Sequence, residues 1–442
     1  MSSLKTMKTC AFITLGCKVN QYETQAIRES LAARGFVETD PEQAADLYVI
    51  NTCTVTSASD EKSRQHIKRV KRKNPGATVV VTGCYAAADA EAIKKMNGVD
   101  YVITKTEEAH LSEIVSRRKE EAEKVFPDRR TSEIPEDSIY NLKISHFAGH
   151  TKAFLKIEDG CDMYCSYCII PYVRGGVKSR KPQDIKEEAQ RLICNGYKKI
   201  ILTGIHLGAY GRDTQESHHL LDIVSMLSNL SGLERLRLSS IEINEITDDL
   251  IDLIAHSKKV CPHFHIPLQS GDDFILKRMN RKYTSSQYLD ALNNIRSKID
   301  LPSFTTDVMV GFPGEKEEHF ENTFNLCKEA GFSRMHIFPF SAREGTPAAK
   351  MPDHCHPQII KQRKTLLETA ASTLALAYKK QFLNSPVEVL VEMGRDPKTN
   401  KLCGYSERYI KVLFEGTNAI KNTIVPVRIK EITPSFVIGT LL

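Results

Sequence analysis

Residues 158–175 read EDGCDMYCSYCIIPYVRG and set Cys161, Cys165 and Cys168 within eight positions, spaced C-x3-C-x2-C. Three thiols this close, with no fourth beside them, point to one ligand held in common. Thiolates suit zinc, but zinc ribbons pair two C-x2-C motifs, and the chain has no second one. Three soft thiolates also suit an iron–sulfur cube with one iron left open, where a substrate or cofactor can bind directly.

The flanking pattern places this loop. AFLKIED (153–159) reads as a strand running into the triad, and five more strand candidates follow: KIILTG (199–204), RLRLSS (235–240), HFHIPL (263–268), FTTDVMVGF (304–312) and RMHIFPF (334–340). Helical stretches such as PQDIKEEAQRLICNG separate them. Six strand–helix units in about 230 residues predict a parallel barrel or part of one. Chemistry in that architecture sits at the C-terminal ends of the strands, which is where the triad falls. A long amphipathic helix, 357–383, closes the region. Beyond it only strands are expected, in PVEVLVEM, RYIKVLFEG, NTIVPVRIKEI and SFVIGTLL, as a compact all-β module.

The first 115 residues alternate in the same way, with strand candidates CAFITL (10–15), LYVIN (47–51), TVVVT (78–82) and DYVIT (100–104). The helix YETQAIRESLAARG ends at Gly35, a suitable C-cap. The expected fold is α/β and multidomain. It comprises an open parallel α/β sheet over 8–115, a linker over 116–146, a central partial (β/α)6 barrel over 147–383 and a small β-barrel over 384–442.

A second triad emerges on this map. Cys17 in TLGCKVN, Cys53 in NTCTVT and Cys84 in TGCYA each lie within two residues of a predicted strand end and ahead of a helix. In an open α/β sheet those ends share one crevice. The three thiols are thus expected to approach one another across separations of 36 and 31 positions, either as a shared metal or cluster site or as three separate buried cysteines. Glycine precedes Cys17 and Cys84, which permits a tight turn against a bulky ligand. The other six cysteines (10, 194, 261, 327, 355 and 403) read as core or incidental, although DHCHP (353–357) has a metal-like look.

Composition narrows the class. The 442 residues are 41% hydrophobic and 26% charged, ordinary for a soluble globular protein. MSSLKTMKTCAFITLG lacks the apolar core of a signal peptide, and no apolar run reaches membrane-spanning length. A cytoplasmic location with no membrane partner is expected, and there the 12 cysteines are not bridges. Net charge is +6, compatible with nucleic acid. EKSRQHIKRVKRK (61–73) carries seven Lys or Arg and one acid on a predicted helix, as a solvated face or a phosphate-contacting patch. GFPGEK lacks the spacing of a phosphate loop, and no G-x-G-x-x-G is present.

At GCDMYCSYC, with an aromatic, Tyr167, before the last cysteine, the chain resembles the radical S-adenosylmethionine enzymes. With TLGCKVNQYET, NTCTVT, TGCYA, CIIPYVRG, TGIHLGAYG, HIPLQSGDD, VGFPGE and FPFSAREGTPAA, it resembles their methylthiotransferase family from about residue 8 to 442. GCKVNQYET and TGIHLGAYG are most similar to the branch acting on threonylcarbamoyladenosine next to the anticodon of tRNA.

The resemblance implies a 4Fe–4S cluster on Cys161, Cys165 and Cys168, the catalytic residues, whose open iron binds S-adenosylmethionine. It implies a second cluster on Cys17, Cys53 and Cys84 that carries the sulfur. A radical derived from the cofactor takes hydrogen from adenine carbon 2, and a second S-adenosylmethionine gives the methyl group. An electron donor such as a flavodoxin or ferredoxin is implied, with an unassigned sulfur donor. Tyr167, His206, Gln269, Asp307, Arg180 and Arg343 are the cofactor-side candidates. His206 stands where the superfamily often has a glutamate facing the methionine amine. Gln269 and Asp307, at the fourth and fifth strands, are cofactor or substrate contacts or else polar barrel residues. Arg180 is a fork for the cofactor carboxylate or a plain surface arginine, and Arg343 is its counterpart at the sixth strand.

The C-terminal module is implied to be the family's small RNA-binding (TRAM-like) barrel, though its eight basic and six acidic residues say little by themselves. Tyr405, Tyr409 and Phe414 are candidate base-stacking rings or core aromatics. Rival readings are methylthiolation of isopentenyladenosine tRNA or of a ribosomal-protein aspartate, and a non-catalytic iron–sulfur RNA-binding protein.

Overall fold

A computed structural model describes residues 8–105, 107–116, 142–147, 149–215 and 218–442. The expected linker, 116–146, lies largely outside the described residues. Residues 1–148 with 168–176 form one compact unit, and 149–167 with 177–442 form another. The chain thus crosses between units at Tyr167–Cys168 and again at Gly176–Val177.

In the first unit a five-stranded parallel sheet has the order β2-β1-β3-β4-β5. Its strands are β1 (Thr9–Thr14), β2 (Val37–Glu38), β3 (Leu47–Thr52), β4 (Thr78–Gly83) and β5 (Tyr101–Val102). The two-residue β2 is absent from the sequence expectation, because its exposed Val and Glu carry no alternation to read. Period-2 alternation within the strands feeds two cores. Cys10, Phe12, Leu47, Val49 and Val80 face one, with Ile27 and Leu31 of the helix Lys18–Ala33. Ala11, Tyr48, Ile50, Val79 and Val81 face the other, with Ile67 and Val70 of the helix Ser57–Lys73. Gly35, at φ +83°, follows the first of these helices as a left-handed terminator.

The second unit carries six parallel strands in an arc. β6 (Lys152–Lys156), β9 (Lys199–Thr203) and β10 (Arg235–Leu238) form one sheet, and β11 (His263–His265), β12 (Ser303–Val310) and β13 (Arg334–Pro339) another. Parallel bridges Leu236–Val260 and Ser240–His265 join the two. No pairing of β13 with β6 occurs among the described residues, so the barrel is partial. The predicted strand over 153–159 divides, because β7 (Glu158–Asp159) pairs antiparallel with β8 (Lys178–Ser179).

The C-terminal residues close into a barrel of order β14-β15-β16-β18-β17. Its strands are β14 (Pro386–Arg395), β15 (Leu402–Ser406), β16 (Lys411–Phe414), β17 (Ile424–Ile432) and β18 (Val437–Leu441). β15, LCGYS, was not among the expected strands. Its glycine breaks the β-propensity pattern but is required here, since a Cβ at Gly404 would lie 2.2 Å from Leu390 O.

This barrel docks on the starting ends of β6, β9 and β10, where Lys152, Lys199 and Arg235 stand in register. Arg235 donates to the carbonyls of Tyr405 and Glu388, and Arg237 to those of Ser406 and Glu407. The Arg237 guanidinium lies 4.8 Å from the Tyr409 ring centre. Tyr409 also packs on His263 and Tyr405, and Phe414 is fully buried. The base-stacking reading of Phe414 is therefore corrected, since its ring is in the barrel core, while Tyr405 and Tyr409 stack on each other beside the docking contact and stay half-buried. Arg237→Met is expected to cost about 1–2 kcal/mol by leaving Glu407 O without its donor, while Ser406 O keeps the Tyr409 N–H, read as a lower urea midpoint. The exposed Arg72→Met serves as a control within about 0.5 kcal/mol.

Candidate functional site

In the first unit the register of the sheet sets the cysteines. Thr14, Asn51 and Thr82 are partners across β1, β3 and β4, and Thr52 pairs with Gly83. Cys53 and Cys84 each follow the last residue of their strand, and Cys17 is the N-cap of the helix Lys18–Ala33. Gly16, at φ +101°, lies so close that a Cβ there would be 2.9 Å from Cys53 Cβ and 3.1 Å from its sulfur. Gly83, at φ +97°, passes Thr52 as closely. Asn20 ties the ends together: its Nδ2 donates to Leu15 O and Thr52 O, and its Oδ1 is 3.6 Å from Cys17 Sγ. Burial pushes the Cys53 and Cys84 thiols up, and at Cys84 the charges of Arg174 and Lys105 oppose it.

Sequence reading missed the charges behind this triad. Arg174, from YVRG, places Nε 3.2 Å from Cys84 Sγ, with Nη1 3.0 Å from Glu23 and Nη2 2.9 Å from Asn20 Oδ1. Lys105 contacts Glu23 at 2.5 Å and Glu108 at 2.8 Å. Only the recurrence of polar residues inside an amphipathic helix, as in VNQYE, signals this from sequence.

In the second unit the loop after β7 carries Cys161 and Cys165. Ser166 N donates to Met279 O, Ser166 Oγ to Arg278 O, and Asn280 Nδ2 to Tyr164 O, so the turn 278–280 clamps the loop. Tyr167 packs against an apolar cluster of Ile275, Met279, Met309, Phe312 and Ala348. Cys168 opens the segment that joins the first unit. Buried Arg281 donates from Nη1 to Cys165 Sγ at 3.4 Å and pairs with Glu242.

His206 is buried, with Nδ1 3.8 Å from Cys161 Sγ and Nε2 2.7 Å from Glu245. Burial works against its charge, and Glu245 outweighs that, raising its pKa. Gln269 is buried in a left-handed conformation, φ +63°, its backbone bonded to Asp307 O and Met309 N. Among the described residues its Oε1 has no hydrogen-bond partner. Asp307 accepts from His265 Nε2 at 3.2 Å.

Arg180 is not a surface arginine. It is buried, bonded to Lys156 O and paired with Glu188 at 2.6 Å. Arg343 is half-buried in the loop after β13, where its carbonyl accepts from Thr346. The DHCHP segment is a helix entry: Cys355 donates to Phe312 O and Glu315 O, and His356 caps the helix Pro357–Lys380.

The triad of the first unit fits an iron–sulfur cluster: Cys17, Cys53 and Cys84 meet at one sheet edge, Arg174 sets its buried guanidinium on the Cys84 sulfur, and Gly16 clears space beside Cys53. In the second unit the Cys165 sulfur likewise accepts from a buried guanidinium, that of Arg281. Among the described residues no group of three His, Cys, Asp or Glu converges as a single-ion site.

Behind the cysteine loop, Glu158 is buried and accepts from His206 N. Burial, with the charge of Asp159, pushes its carboxyl up to about 8. It stays protonated in the folded protein at pH values where the unfolded chain ionises it, so rising pH costs stability until the folded pKa is passed. Glu158→Gln is expected to gain thermal stability over the parent between about pH 5 and pH 8, then hold a constant lead. A lead that does not grow over that range refutes the assignment.

Residues 155–327 match the Radical SAM superfamily, and residues 9–104 match the Uncharacterized protein family UPF0004. The chain is 41% identical over 426 residues to the threonylcarbamoyladenosine tRNA methylthiotransferase MtaB of Bacillus subtilis (strain 168), across 96% of this chain and 94% of that protein. It is 38% identical to the Chlamydia pneumoniae protein of the same name, across 98% of each. A tRNA-2-methylthio-N(6)-dimethylallyladenosine synthase of Carboxydothermus hydrogenoformans is 33% identical, across 96% of this chain and 97% of that one. Among solved structures, the radical S-adenosylmethionine methyltransferase TsrM from Kitasatospora setae, with cobalamin and a 4Fe-4S cluster bound, shares the fold. Its TM-score is 0.55 at 14% identity, over 78% of this chain and 77% of that one.

Proposed function

The chain belongs to the radical S-adenosylmethionine methylthiotransferases, and we propose that it methylthiolates carbon 2 of threonylcarbamoyladenosine next to the anticodon of tRNA. It is a radical S-adenosylmethionine tRNA methylthiotransferase, and its cofactors are S-adenosylmethionine and 4Fe–4S iron–sulfur clusters. The observation that carries the proposal is the pair of separate three-thiol sets, each with a buried arginine on one sulfur. It is joined by near full-length likeness to relatives named for that modified nucleoside.

In this reading Cys161, Cys165 and Cys168 hold one cluster and Cys17, Cys53 and Cys84 another. When bound, the first supplies the electron that cleaves S-adenosylmethionine, the second supplies the sulfur, and a further S-adenosylmethionine supplies the methyl group. The protein's residues bind, orient and exclude water. Tyr167 and its apolar neighbours keep the cysteine loop dry. His206, fixed by Glu245, stands beside Cys161 as a donor toward the cofactor's methionine end. Gln269 offers its unpartnered amide oxygen, Asp307 projects from within the fifth strand of the arc, and Arg343 follows the end of the sixth. Arg180, held by Lys156 O and Glu188, stiffens the return strand β8 beside β7 and gives the cofactor carboxylate an oriented guanidinium. The exposed Lys62, Lys68 and Arg72 of the helix Ser57–Lys73 face phosphate, while Arg69 and Lys73 are committed to Glu42. A flavodoxin or ferredoxin supplies electrons.

The direct test is nucleoside mass spectrometry of tRNA from cells lacking the gene, with and without its restoration. A methylthio group gained on threonylcarbamoyladenosine alone is expected. A gain on isopentenyladenosine moves the substrate, and no change in any tRNA nucleoside overturns the tRNA reading. In the purified enzyme, Cys165→Ala is expected to retain about half the iron, matching loss of one of two clusters, and to release no 5′-deoxyadenosine under reducing conditions. Loss of all iron would refute two independent sites.

A further inference from the structure

The Arg174 side chain is buried in the first unit and makes three different polar contacts. Its Nη1 and Nη2 are committed to Glu23 Oε1 at 3.0 Å and Asn20 Oδ1 at 2.9 Å, which fixes the plane of the guanidinium. Nε is thereby aimed at Cys84 Sγ, 3.2 Å away. Asn20 is anchored in turn to Leu15 O and Thr52 O at the strand ends. The charges behind it balance: Arg174 and Lys105 against Glu23 and Glu108, in contact at 2.5–3.0 Å. Holding two buried ion pairs behind one thiol costs desolvation that an apolar filling would avoid. The arrangement therefore calls for a role that an apolar filling could not serve.

We propose that Arg174 is a positioning residue that sets the reduction potential of the cluster on Cys17, Cys53 and Cys84, by donating a charge-assisted hydrogen bond to the Cys84 sulfur, with Glu23 as the counter-charge that moderates it. This rests on the reading of that triad as a cluster site. Hydrogen bonds and positive charge at a ligating sulfur stabilise the reduced, more negative cluster and raise its potential. Arg174 does this for the sulfur-bearing cluster, and the carboxylate of Glu23 keeps the rise in check. The radical-generating cluster has its own donor, Arg281 on Cys165, and is tuned separately.

The experiment is an anaerobic redox titration of the full-length, reconstituted two-cluster protein followed by electron paramagnetic resonance. The two signals are told apart by the change that added S-adenosylmethionine makes in one of them. Arg174→Met is expected to shift the midpoint of the S-adenosylmethionine-insensitive cluster downward. Glu23→Gln is expected to shift it upward, and Arg174→Lys to fall between Met and the parent. The S-adenosylmethionine-sensitive cluster stays unmoved in all three. Intact clusters with unshifted midpoints overturn the assignment to Arg174 while leaving the cluster site standing. If Arg174→Met loses its cluster, Glu23→Gln decides: an upward shift supports the proposal, and none overturns it. Absence of a second cluster in the unsubstituted protein overturns both this inference and the reading beneath it.

Discussion

The in-register row Thr14–Asn51–Thr82, with the Thr52–Gly83 pair one step on, brings Cys17, Cys53 and Cys84 to one edge of a sheet. Parallel strands joined by helices all point the same way, so their exits share an edge whatever the loop lengths. A one-residue slip of β4 against β3 would turn Val79 and Val81 from one core to the other and carry Cys84 with them. Core packing on both faces thus protects a chemical arrangement in which the core residues take no direct part.

Around each sulfur set the polar groups are organised by charge rather than by solvent. Arg281 lies between Glu242 and Cys165, and Arg174 between Glu23 and Cys84. In both, a carboxylate holds the guanidinium while a remaining N–H reaches sulfur, a division of labour that the rigid fork of arginine allows and a lysine ammonium does not. Glu245 holds His206 against Cys161 in a related way, from the far side of the imidazole.

The sequence made the architecture readable because its strongest signals are local. C-x3-C-x2-C needs no tertiary knowledge, and apolar runs between helices read as parallel strands before anything folds. The wide triad was readable only by assuming the strand exits align. Arg174, Glu23, Arg281 and Glu242 were not legible, since a buried ion pair looks in sequence like any surface charge. The surface reading of Arg180 fell for the same reason: its partner Glu188 lies eight positions on, two turns into the next helix. For Tyr405 and Tyr409 the sequence left stacking rings and core aromatics both open, because nothing local announces that Arg237, Lys152 and His263 pack beside them. The basic run at 61–73 was legible as charge, yet Glu42, far upstream in the chain, already occupies two of its cations.

The small C-terminal barrel sits at the starting ends of the central strands, whereas Cys161 and Cys165 lie in the loop that leaves β6 at the other end. The height between those ends is that of the strands themselves. For the five residues of β6, the strand with the barrel at one end and the cysteine loop beyond the other, it amounts to roughly 16 Å at about 3.3 Å per residue. Any molecule gripped by the barrel and presented to the cysteine loop has to be a ruler of at least that length. A free nucleoside would be too short for that span and a folded stem with its loop splayed open long enough, so a substrate held at both places would be sorted by size before any base is read.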